Sequence, residues 1–200
     1  GCGPGRIAVP LAGLGHAVTG VDNGAGMIAA LPSSVRGVVG DAARIRLGSL
    51  FDAVLLASHL VNDPVCGAAF AVTARAHLAP GGVVIGQTYP PGWDPTAAVG
   101  TVTRIGEAEI EMLSAVRDGE LLDAVVRYGV DGAVWEQRFS ARLLTGATFD
   151  ALLAGAGLVL DGWLERPGWF RAVHGWAEGA RGRARLSRPG PGSGPAQDQA

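Results

Sequence analysis

Three glycines alternate at the start of the chain, Gly1-Cys2-Gly3-Pro4-Gly5. Glycines let backbone N–H groups come close to a ligand, because no Cβ stands in the way. An apolar run follows, Ile7, Ala8, Val9, Leu11, Ala12 and Leu14, and Gly15 stands where a helix would end in the left-handed conformation. The positive end of that helix dipole points into the same space as the glycines. Residues 16–21 read as a short buried strand with Asp22 at its carboxyl end. An ionised carboxylate offers only acceptors, so Asp22 can receive two vicinal ribose hydroxyls. Glycine loop, helix, strand and acidic residue make half of a nucleotide-binding α/β unit. A second group, Ser58-His59-Leu60-Val61-Asn62-Asp63, follows the apolar run 51–57. Ligands bind at the carboxyl ends of strands in open α/β sheets, so this loop edges a reaction site. His59 is the candidate general base there, or simply a hydrogen-bonded loop residue. Tyr89 and Asn62 are candidates to orient a substrate.

The elements that must position these groups follow from pattern. Residues 23–31 read as a helix with Asn23 as N-cap, and 35–39 as a strand closed by Gly40-Asp41-Ala42. The run 51–57 is nearly uniformly apolar, as parallel strands buried on both faces are. Residues 64–78 read as a helix, Asp63 capping it and Pro64 at its first position. Pro80-Gly81-Gly82 reads as a turn before a strand at 83–88. Beyond a Pro- and aromatic-rich loop at 89–98, alternating stretches at 99–105, 109–117, 121–130 and 133–144 are punctuated by Asp118-Gly119 and Asp131-Gly132, strong hairpin signals. They predict an antiparallel insertion over 99–144. Thr145 caps a helix near 147–155, and 158–165 with 169–174 form a closing antiparallel pair through Arg166-Pro167-Gly168. The predicted folded domain is 1–177. The remainder, 178–200, is rich in Gly, Pro, Ser and Arg and is expected to be a disordered, solvated tail.

Composition narrows the classes. The chain has 200 residues, 48% of them hydrophobic, and a net charge of −2. All 16 basic residues are Arg. No basic stripe is interleaved with aromatics before the tail, which disfavours nucleic acid as a partner. No apolar run reaches the roughly 20 residues that span a bilayer, so no membrane is expected. Two cysteines, Cys2 and Cys66, are too few for a disulfide framework and suit a reducing, cytoplasmic setting. The histidines lack metal-ligand spacing. Trp93, Trp135, Phe139, Trp163, Trp169 and Phe170 lie in the half expected to cover a substrate, and read either as an apolar pocket or as the core of the meander.

The GxGxG loop, the stretches GHAVTGVD and GMIAAL, Gly40-Asp41-Ala42, the run 51–63 and LAPGGVVIG together closely resemble the class I S-adenosylmethionine-dependent methyltransferases. The resemblance covers residues 1–88 and is looser beyond. A dinucleotide fingerprint wants G-x-G-x-x-G; here the third glycine comes one residue early and position 6 is Arg6, which argues against the alternative of an NAD(P)-binding oxidoreductase. The resemblance implies an α/β, Rossmann-like, mostly parallel sheet with helices on both faces. It implies S-adenosylmethionine as cofactor and methyl transfer to a small-molecule acceptor. The cofactor-binding set it implies is Gly1, Cys2, Gly3, Gly5, Arg6, Asp22, Asn23, Met27, Asp41, Ala42 and Ser58. In this set the glycine loop lies under the methionine part, Asp22 takes the ribose and Asp41-Ala42 the adenine. Arg6 faces the cofactor carboxylate or solvent; Asp41 also reads as a plain turn residue. Relatives that modify nucleic-acid bases often carry Asn/Asp-Pro-Pro-Tyr where this chain has Ser58-His59-Leu60-Val61, which disfavours that subclass. In the family a strand precedes the glycine loop. It has no counterpart here, so the expectation is an amino-terminally truncated chain with a gap or collapse between 16–21 and 52–57. A fragmentary cofactor-binding chain without activity is the last alternative.

Overall fold

The computed structural model describes residues 1–90 and 92–175, so the expectation of a disordered tail lies outside the described residues. Helix α1 (Ala8–Gly13) starts just behind the glycine loop; Pro10 falls in its first turn, where a missing N–H costs nothing. It closes at Leu14, and Gly15 turns left-handed at φ 91°. Strands β1 (Val18–Asp22) and β2 (Val35–Val39) run parallel, in register from Val18 opposite Val35 to Asp22 opposite Val39. Helix α2 (Ala25–Ala29) crosses between them and packs tightly on β2: a Cβ at Gly37 would lie 2.6 Å from Cγ2 of Ile28.

Strands β3 (Phe51–Leu56) and β4 (Leu78–Gln87) form a second parallel pair, connected through α3 (Gly67–Ala76). After a four-stranded meander, β5 (Val102–Ile105), β6 (Ala108–Asp118), β7 (Leu121–Val130) and β8 (Ala133–Arg142), the chain returns through α4 (Gly146–Gly155). It ends in the antiparallel pair β9 (Leu158–Trp163) and β10 (Trp169–His174), with β10 also antiparallel to β4. The described strands therefore make three sheets, β1-β2, β3-β4-β10-β9 and β5-β6-β7-β8. The expected discontinuity is present, since β1 pairs with β2 alone and β3 with β4 alone.

The main core gathers Leu56, Leu78, Val84, Phe149, Leu153, Leu158 and Phe170 between the β3–β4–β10–β9 sheet and helices α3 and α4. Phe170 is fully buried, and a Cβ at Gly86 would run into its ring. Phe149 meets Phe170 edge-on at 4.9 Å, the arrangement that aromatic quadrupoles favour. A second core forms under the meander: Leu122, Ala124, Ala141 and Leu143, with Tyr89, Trp93, Met112 and Phe139 against it. The meander thus packs on the loop leaving β4, at the carboxyl end of that strand.

Several local expectations are corrected. The cap of α2 is Gly24, in extended conformation, and Asn23 is exposed with no capping bond. Helix α3 starts at Gly67 after Cys66. Asp63 instead caps the turn before it, accepting from the N–H of Val65 and of Cys66 at 2.9 and 2.6 Å. Pro80-Gly81-Gly82 is no separate turn. It is an irregularity inside β4, which pairs with β3 on both sides of it. Thr145 does cap α4, through a reciprocal pair with Thr148: its hydroxyl accepts from the Thr148 N–H, and the Thr148 hydroxyl accepts from the Thr145 N–H.

Candidate functional site

The Asp22 carboxylate is the centre of the amino-terminal half. One oxygen accepts the Gly3 N–H at 2.8 Å and the other the Gly24 N–H at 2.9 Å. It is buried, 8% exposed. These two bonds, Gly24 foremost, hold its pKa below the ordinary carboxylate value. The carbonyls of the same strand brace the flanking loops: Val21 accepts the Cys2 N–H and Asp22 the Gly40 N–H, both at 2.8 Å. Asp22 thus clips the glycine loop and the α2 entry to one strand end.

The three glycines of the loop serve different purposes. A Cβ at Gly1 would lie 2.9 Å from an Asp22 oxygen. Gly5, at φ 95°, is buried against Val9 and Leu31, where a Cβ would come within 2.8 Å of both, so its role is packing. Gly3, at φ 56°, has open space where its Cβ would stand. Asp41 sits in the turn after β2, one oxygen on the Ala43 N–H at 2.9 Å and the other 3.8 Å from Arg44.

Across the break between β1 and β3, Arg6 donates to the Ser58 hydroxyl at 3.2 Å. Ser58 and His59 are both left-handed, φ 56° and 59°, which is uncommon for residues with a side chain. The His59 ring lies flat on Tyr89, centroids 4.2 Å apart at 12°, and Tyr89 lies flat on Trp93, 4.7 Å and 6°. Burial pushes the His59 imidazole below its usual pKa, so it is neutral at pH 7 and able to take a proton. Burial, with Tyr128 adding to it, pushes the Tyr89 phenol up to about 12, so it stays protonated.

A family model of the methyltransferase domain matches residues 1–82. No curated protein matches the chain. Among solved structures it is similar to the S-adenosylmethionine-bound CalS10 of Micromonospora echinaspora, an amino pentose methyltransferase of calicheamicin biosynthesis. That match has 27% identity and a TM-score of 0.67 over 87% of this chain and 80% of that one. The sugar N-methyltransferase KedS8 of a Streptoalloteichus species matches at 22% identity and a TM-score of 0.65, over 86% and 77%. An S-adenosylmethionine-dependent methyltransferase of Clostridium acetobutylicum shares the fold at 14% identity, TM-score 0.66, over 86% and 79%.

Residues 1–82 carry the methyltransferase domain, and the chain is similar to S-adenosylmethionine-dependent methyltransferases. The residues present fit that cofactor. A carboxylate has about four acceptor positions, and backbone N–H groups fill two of them at Asp22, which leaves room for ribose hydroxyls. The loop beside it offers backbone and, at Gly3, open space.

Of the residues singled out in the sequence of this methyltransferase, the fold brings Gly1, Cys2, Gly3 and Asp22 together at one end of β1. Ser58 and Arg6 meet beside them, and His59, Tyr89 and Trp93 form one stack. Met27 is on the exposed surface of α2 and Ala42 is half-buried in the Asp41 turn. Asn62 is not an acceptor-orienting group: it is 1% exposed and donates to Thr88 Oγ1 and the Arg142 carbonyl, tying the end of the meander to β4. The aromatic set divides. Trp163 and Phe170 belong to the main core, Phe139 to the meander core, Trp93 to the stack, and Trp135 stacks on Tyr128 at 5.4 Å. Sequence reading missed Gly24 and Gln87, whose Oε1 accepts the Ser58 N–H at 3.0 Å. No local signal marks Gln87, whose bond depends on where two strand ends finish; Gly24 closes an Asx turn on the carboxylate two residues before it.

Proposed function

We propose that this methyltransferase acts on a small acceptor whose methylated group is an amine on a sugar-like ring. The observation that carries the reading is the His59–Tyr89–Trp93 stack at the carboxyl ends of β3 and β4. Flat aromatic faces suit the apolar face of a saturated ring. CalS10, similar at 27% identity, is an amino pentose methyltransferase.

S-adenosylmethionine supplies an electrophilic methyl on a positively charged sulfur when bound. In the proposed arrangement Gly1, Cys2 and Gly3 lie under its methionine part, with Gly5 packed behind them on Val9 and Leu31. Asp22 accepts the ribose hydroxyls, beside Asn23 and Met27, and Asp41 with Ala42 flanks the adenine. Arg6 and Ser58 close the carboxylate end. His59 takes the proton that an ammonium acceptor must lose before it attacks, which its neutral state at pH 7 allows. Tyr89, stacked between His59 and Trp93, fixes the His59 ring against which the acceptor is held in line, and orientation alone can supply several kcal/mol of the barrier. The domain boundary at 177 and a role of the 99–144 insertion in covering the acceptor belong to the same proposal. A cytoplasmic setting suits the cofactor and the free thiols Cys2 and Cys66. No helix among the described residues is long and apolar enough to cross a membrane.

The test is methyl transfer from S-adenosylmethionine to a panel of amino sugars, their hydroxyl analogues and an oligonucleotide, followed by mass spectrometry. Methylation confined to the amino sugars supports the reading. Turnover on the oligonucleotide, or on the hydroxyl analogues alone, overturns it.

A further inference from the structure

Two successive residues with side chains in the left-handed region, Ser58 at φ 56° and His59 at φ 59°, are strained. Such a pair persists only where its surroundings over-determine it. The ladder between β3 and β4 ends at Leu56 opposite Gly86, so it does not reach Ser58. Three groups hold the pair. Behind it, the Asn62 N–H donates to the His59 carbonyl at 2.8 Å, and the buried Asn62 side chain is itself bound to Thr88 and Arg142. On one side Arg6 donates to the Ser58 hydroxyl. On the other, Gln87 Oε1 accepts the Ser58 N–H at 3.0 Å. Gln87 is the last residue of β4, one residue beyond the end of the register, and its long side chain reaches the N–H that the left-handed turn swings away from the ladder.

We propose that Gln87 is a positioning residue for the reaction: by holding Ser58 it fixes the turn that lays the His59 ring flat on Tyr89. The inference rests on the proposed base role of His59 for its kinetic consequence only. The Ser58 N–H is at an exposed position, so water replaces Gln87 in a variant at small cost to stability. What water does not replace is the direction of the bond, and with it the ring stack 4.2 Å away on Tyr89.

The test compares Gln87→Leu and Gln87→Glu with the wild type in the full chain, by NMR of the His59 ring and by steady-state kinetics. In the wild type the His59 ring protons are shifted upfield by the Tyr89 face and titrate below the usual histidine midpoint. Gln87→Leu is expected to lose the upfield shift and bring the midpoint back toward the ordinary value. Its melting temperature stays close to wild type, and kcat drops roughly 10- to 100-fold, as for a displaced catalytic group. Gln87→Glu keeps an acceptor for Ser58, so the upfield shift is retained, while its charge moves the His59 midpoint upward. A Gln87→Leu protein with the wild-type His59 spectrum and midpoint overturns the proposal. If His59→Ala leaves kcat intact, the base role fails by itself, and the His59 spectrum of Gln87→Leu still decides the positioning role.

Discussion

Replacing Asp22 by Ala should damage folding and cofactor binding together, by separable amounts. The substitution removes two charge-assisted bonds, 2.8 Å to Gly3 and 2.9 Å to Gly24. Hydrogen bonds to a charged group contribute about 1.5–3 kcal/mol each, so the pair sets a ceiling of about 3–6 kcal/mol. Both N–H groups are only partly buried and water recovers part of this. A loss of about 2–4 kcal/mol is expected in denaturant unfolding, a large share of the roughly 5–15 kcal/mol of a whole domain. In calorimetry, loss of the ribose bonds weakens S-adenosylhomocysteine by a further ~1.5–3 kcal/mol, about 10- to 150-fold. The pH dependence has a definite sign. The folded pKa of Asp22 lies below its unfolded value near 3.9, so its contribution is fully present above about pH 4 and is lost as pH falls through the folded value. Asp22→Ala should therefore flatten the acid limb of the stability curve. Asp22→Asn, which keeps one oxygen acceptor, should fall between. An Asp22→Ala protein with the wild-type unfolding midpoint, acid limb and dissociation constant would refute both the clip and the ribose role.

Two further outcomes follow from named contacts. His59→Gln should lower kcat by about 10²- to 10⁴-fold, the usual worth of general acid–base catalysis. In the wild type, activity should hold below pH 6.5 and fall only as pH passes the depressed imidazole value, since the proton acceptor is lost there; a fall centred above pH 6.5 would contradict burial as the cause. Phe170→Ala, at a fully buried position against Phe149, Trp163 and Gly86, should cost about 3–5 kcal/mol in unfolding experiments. A cost below that range would mean that the core around Gly86 collapses into the space.

What could be read from the sequence was whatever chain-local physics decides. Strand β2 coincides with its predicted span of 35–39, because three Val within five residues, bounded by Ser34 and Gly40, favour an extended chain. The Asp131-Gly132 turn has φ 49° and 80°, both positive as a two-residue hairpin turn demands, and the two residues announced it. Asp22 was legible by its place after a strand, though not the fact that Gly3 and Gly24 already occupy it. Pro80-Gly81-Gly82 misled because turn residues are compatible with a strand irregularity when a partner strand pairs on either side. The division of the aromatics depended on which sheet each strand joined, as the β10–β4 pairing carries Phe170 into the main core. Gln87 and the left-handed Ser58–His59 pair were invisible for the same reason. Their geometry comes from a bond across 29 residues of sequence, made where two strands end side by side.

The central claim, that the Gly1–Gly5 loop and Asp22 form an S-adenosylmethionine site, is tested most directly by calorimetric titration of the chain with S-adenosylhomocysteine and, separately, with NADH. The account predicts one-to-one binding of S-adenosylhomocysteine, weakened in Asp22→Ala, and no heat from NADH. Binding of NADH with no response to S-adenosylhomocysteine would contradict it.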